Sequence, residues 1–87
     1  MIPRMTQETL EAWIASGRPT GSFCQAVIQN DLRLACARAD RYNRSALFET
    51  IAWMEEHAPA ESWGYRGALE EWPRIIACKM SRSERAK

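Results

Sequence analysis

Apolar residues recur three and four positions apart along this chain, the period of a helix with one buried face, and no stretch alternates over a useful strand length. In TQETLEAWIASG, Leu10, Trp13 and Ile14 share a face. Thr6 is the expected N-cap there, Glu8 lies near the positive helix end, and Gly17 is the stop. Pro19 and Gly21 make a turn, after which SFCQ reads as a capping box that starts a second helix at Ser22, with Phe23, Ala26 and Val27 on one side. Then comes QND. Asn and Asp side chains compete with helical backbone bonding, so a break at Asn30–Asp31 is favoured over a continuous helix, in which Ile28, Leu32, Ala35 and Ala39 would still align.

With the break, Leu32, Ala35, Cys36 and Ala39 form the stripe of a short third helix. Asp40 and Asn43 repeat the punctuation before RSALFETIAWMEEHAP, where Leu47, Ile51 and Met54 run down one face with Phe48 beside them and Pro59 closes the segment. ESWGYRG is a loop with Trp63 as a hydrophobic plug. In GALEEWPRIIACKM, Leu69, Trp72, Ile75 and Ile76 are helically spaced, and Pro73 should kink the helix or start a fresh turn. The expectation is an all-α, compact single-domain bundle of four or five short helices over residues 1–80, followed by a basic flexible tail, 81–87, with nothing to bury. Trp13, Trp53, Trp63 and Trp72 are each expected in the core, Trp53 on the shoulder of its stripe.

Composition sharpens this picture in two respects. With 87 residues there is room for one core, and a 46 % hydrophobic content with four Trp is rich enough to fill it. The longest uncharged run, Pro19 to Asn30, is far shorter than the ~20 apolar residues of a membrane span, and the first residues have no apolar signal core. Together with three widely spaced cysteines, this points to a cytoplasmic chain with free thiols. Cys24, Cys36 and Cys78 read as small buried apolar residues. They lack the short ligand spacing that would join them to His57 around zinc, so neither metal nor cofactor is expected.

The string Pro19, Gly21, Phe23, Ala26, Val27, Asn30, Asp31, Leu32, Ala35, Arg38, Ala39, Asp40, Asn43, Leu47, Ile51, Ala58, Pro59, Trp63, Gly64 and Trp72 resembles a family pattern. The family is that of short helical proteins carried by bacteriophages and integrated elements, which read roughly PGGFLxAVLxNDLxxAxxRADxxNxxAL, then AP, WGS and a final Trp. The likeness covers about residues 19 to 72 and departs at Thr20, Tyr65 and Pro73. It implies origin more than activity, and it implies that NDL and RAD are fixed punctuation of the fold. Asn30, Asp31, Arg38, Asp40 and Asn43 are accordingly given structural roles, with Asp31, Arg38 and Asp40 forming a polar lattice across the junctions.

Charge is segregated along the chain: residues 1–44 carry a net +2, residues 45–73 a net −5 and residues 74–87 a net +4. An acidic middle suits a basic protein surface or imitates nucleic acid. Glu49, Glu55, Glu56, Glu70 and Glu71, with Trp53, are the expected protein-binding residues. No catalytic residue is assigned, because His57 is the only good general base at neutral pH and has no evident nucleophile. The expected function is non-enzymatic: binding and inhibiting a bacterial host protein or nucleoprotein complex, such as a CRISPR effector, in the host cytoplasm. The alternative is a small helical DNA-binding regulator of a mobile element, using Arg33, Arg38, Arg41 and Arg44.

Overall fold

The computed structural model describes the backbone of residues 1–85 and the side chains of residues 1–79. Its elements are α1 (Arg4–Ser16), α2 (Ser22–Ile28), α3 (Leu32–Arg38), α4 (Arg41–Ser45), α5 (Leu47–His57), a 3-10 turn (Ala60–Ser62) and α6 (Ala68–Arg85). The fold is all-α, with six α-helices and no strand among the described residues. Helix α6 extends through 81–85, residues expected to form a flexible tail, while Ala86 and Lys87 lie outside the described residues.

The interruption at QND is real, and local chemistry makes it. Asn30 adopts φ 60, one of the few backbone states that Asn tolerates better than other side-chain-bearing residues. The Asn30 and Asp31 N–H groups then return to the carbonyls of Val27 (3.1 Å) and Ala26 (2.9 Å), which closes α2 with a left-handed Schellman turn. Asp31 next caps α3, its carboxylate accepting from the Leu34 N–H at 3.1 Å. Asp40 repeats the device, accepting from the Asn43 N–H at 2.8 Å. That cap opens a separate helix, α4, where one longer helix was expected; Ala46, at φ −103 and ψ 11, divides α4 from α5.

Two predicted caps are replaced. Helix α1 begins before Thr6, behind Pro3, and Thr6 is a buried residue of its first turn. The Thr6 hydroxyl instead donates to Asn43 Oδ1 at 2.6 Å, joining α1 to α4. Helix α2 does start at Ser22, but no capping box forms: the Gln25 amide donates to the Thr20 carbonyl at 3.1 Å.

Leu10, Ile28, Met54 and Trp72 are fully buried at the centre. A chain of indole hydrogen bonds crosses it: Trp72 Nε1–H donates to the Trp13 carbonyl (2.9 Å), and Trp13 Nε1–H donates to the Ser62 carbonyl (2.8 Å). The same Trp13 carbonyl accepts the N–H of Gly17, which ends α1 at φ 69. Burial of two indoles is therefore achieved without stranding a polar atom. Trp53 and Trp63 are partly buried and pack against this core. Pro73 does not stop α6. It is the surface on which α1 ends, because a Cβ on Gly17 would stand 3.1 Å from the Pro73 Cα.

Four residues assigned to apolar positions are exposed instead. Leu32 is 65 % exposed and Phe48 85 % exposed, and Cys36 and Cys78 both face solvent. Only Cys24 is a buried thiol, and burial pushes its pKa up to about 11.

Candidate functional site

Helix α5 sets the geometry of the surface. At about 100° per residue, its buried centre is the line through Thr50 and Met54. Leu47 and Ile51 form one half-buried flank and Trp53 the other. Phe48, Glu49, Ala52, Glu55 and Glu56 occupy the outer arc between them, and all are exposed. Phe48 was expected beside the stripe, but rotation about the helix axis carries it well past Leu47, out of the core.

The acidic residues expected to bind, three on this arc and two on α6, are not equivalent. Glu49 lies in the first turn of α5, where the helix dipole favours a carboxylate, and it pairs with the amino terminus of Met1. Glu70 and Glu71 likewise lie in the first turn of α6. Glu55 and Glu56 stand at the opposite, negative end of α5, where the dipole disfavours them. Among the described residues the basic group beside Glu56 is His57, whose Nε2 is 3.8 Å from the Glu56 carboxylate and whose ring packs on Trp53 at a tilt of 41° with centroids 4.9 Å apart. Trp53 borders the arc on the side of α1, in an open cleft of about 450 Å³ shared with Gln7, Glu11 and Ile14.

The expected lattice of Asp31, Arg38 and Asp40 is not formed. Each aspartate caps its own helix, and among the described residues Arg38 makes no ion pair. Asn30 and Asn43 do act structurally, one as the left-handed residue and the other as the partner of Thr6. Arg33 and Arg38 lie on α3, Arg41 and Arg44 on α4, with Ala39 and Asp40 extended between them. The stretch proposed as a recognition helix is thus two short helices rather than one continuous rod.

On the other flank of α5 lies a groove that no sequence motif marks. Ala26, Val27, Leu32, Ala35, Leu47 and Ile51 line a mostly apolar groove of about 150 Å³ between α2, α3 and α5. A polar cleft adjoins it at Asn30, Asp31 and Leu32, and there Arg33 and Arg66 form the rim. Helical spacing placed Leu32 and Leu47 on buried stripes; both instead line this groove, Leu32 at 65 % exposure.

Among the described residues, no group of three or more His, Cys, Asp or Glu side chains is arranged to hold a metal ion, and no helix is long and apolar enough to cross a membrane. Comparison with protein-family models, curated proteins and solved structures finds no match to this chain.

Proposed function

We propose that this chain is a non-enzymatic, phage-type binding domain. In this reading its acidic surface, Glu49, Glu55, Glu56, Glu70 and Glu71 with Trp53 at the border, docks on a basic groove of a nucleic-acid-handling protein in the bacterial host cytoplasm and blocks it. A defence complex such as a CRISPR effector is the most concrete target. The observation that carries the reading is the placement of Glu55 and Glu56: two exposed carboxylates at the negative end of α5, opposed by the helix dipole and, among the described residues, without a Lys or Arg partner. Local stability does not favour them there, whereas attraction to a basic partner would. The phage-protein resemblance supports the biological setting.

The test is capture of partners from host lysate by the tagged protein, beside the double variant Glu56→Lys, Glu70→Lys. Exposed charges contribute little to stability, and reversing Glu70 in the first turn of α6 costs at most about 1 kcal/mol, so the variant should still fold. It should lose the partner, and wild-type capture should weaken as salt rises. Capture that survives both the reversal and high salt overturns the acidic-surface reading.

A further inference from the structure

We infer that the apolar groove between α2, α3 and α5 is the seat for Phe48 of a second copy of this chain, so that the protein forms a two-fold symmetric dimer. The inference shares Glu55 with the proposed host-docking surface but does not rest on that reading, and it is read on the purified chain alone.

Three observations converge. First, the groove, walled by Val27, Leu32, Ala35, Leu47 and Ile51, measures about 150 Å³, the size of a cavity that accepts a benzene ring. Second, the protein presents one such ring nearby. Phe48 is 85 % exposed and lies about 60° around α5 from Ile51, a wall of the groove, so the ring and the seat face the same side. A two-fold axis requires this arrangement, because each copy must offer both anchor and pocket through one patch. Third, the charges are complementary. Glu55 lies beside Phe48, within about 20° around the helix axis and two turns further along. The rim beside the groove carries Arg33 and Arg66, both exposed and without an ion pair among the described residues. Asp31, the one acid of that rim, is held by the Leu34 N–H. Seating Phe48 therefore brings Glu55 of one copy toward the arginines of the other, twice over. One contact covers both an open apolar groove and a solvent-facing phenyl ring.

Sedimentation equilibrium of the full chain, from about 1 μM to about 500 μM, tests this over the range of ordinary homodimer affinities. The expected mass rises from 10.0 kDa toward twice that value. Phe48→Ser should weaken dimerisation by at least about tenfold, as for loss of a central aromatic anchor, with an unchanged far-ultraviolet circular dichroism spectrum. Arg33→Glu should weaken it as well, and adding Glu55→Arg should restore it. A wild-type chain that stays at the monomer mass throughout overturns the inference, as does a dimer that Phe48→Ser leaves intact. Chemical-shift changes confined to groove residues on adding a phenylalanine-containing acidic peptide to such a monomer would assign the groove to a foreign partner instead.

Discussion

At the scale of the residue, burial decides what a substitution costs. Leu10 and Met54 have no exposed surface, so Leu10→Ala or Met54→Ala should cost about 2–5 kcal/mol, read as a lowered urea midpoint. Leu47 and Ile51 share the apolar stripe of Met54 in the sequence but are only half-buried, at the edge of a groove. Ile51→Ala should therefore cost less than Leu10→Ala, since part of its surface already meets solvent. The thiols divide in the same manner: Cys36 and Cys78 should alkylate in the native protein at neutral pH while Cys24 is protected. The Cys24 pKa is raised from 9.0 to about 11 by burial, so below pH 9 its thiol is neutral both folded and unfolded. Between those values the unfolded chain ionises first and binds fewer protons, so stability should fall as pH rises through that window. Cys24→Ala should flatten that part of the decline in a series of urea midpoints.

At the scale of the element, two aspartates and one asparagine divide residues 22–45 into three short helices. Asp31→Ala and Asp40→Ala should each cost about 1 kcal/mol through loss of a cap. Asn30→Gly should be tolerated, because glycine takes φ 60 freely, whereas Asn30→Val should destabilise strongly. Comparable midpoints for the Gly and Val variants would show that the left-handed turn does not govern the break. Neither α3 nor α4 has the length to be stable alone, so their caps matter only because α2, α1 and α5 hold them in place.

At the scale of the whole molecule, α1 and α6 meet where a glycine faces a proline. Gly17→Ala combines a left-handed backbone with a Cβ 3.1 Å from the Pro73 Cα and should cost more than ~1 kcal/mol. Gly21 precedes α2 with extended backbone and open space around it, so Gly21→Ala should change the melting temperature little. The contrast separates native-state strain and close packing together from chain flexibility, because both positions lose the same unfolded-state freedom. The tryptophan chain serves the same junction: Trp72 bonds to the carbonyl that also ends α1, so the last helix and the first are locked at one atom.

The features legible in the amino-acid order were those set by neighbours within a few residues. The all-α class, the stop at Gly17, the start at Ser22 and the break at Asn30–Asp31 all follow from local backbone chemistry and a repeating apolar period. Thr6 and Asn43 each looked like local punctuation, yet they bond to one another across 37 positions, a choice only the packed chain can make. Periodicity likewise assigned Leu32 and Phe48 to apolar stripes, but a stripe states which residues align and not how far round the helix its neighbour reaches. The packing of α3 beside α2 and the roll of α5 about Thr50 and Met54 decided that Leu32 would edge a groove and Phe48 would face solvent. The acidic residues were visible as a charge run; that Glu55 and Glu56 oppose their helix while Glu70 and Glu71 suit theirs depended on where each helix begins and ends. Local bonding is written along the chain, whereas exposure is a property of what the rest of the fold leaves uncovered.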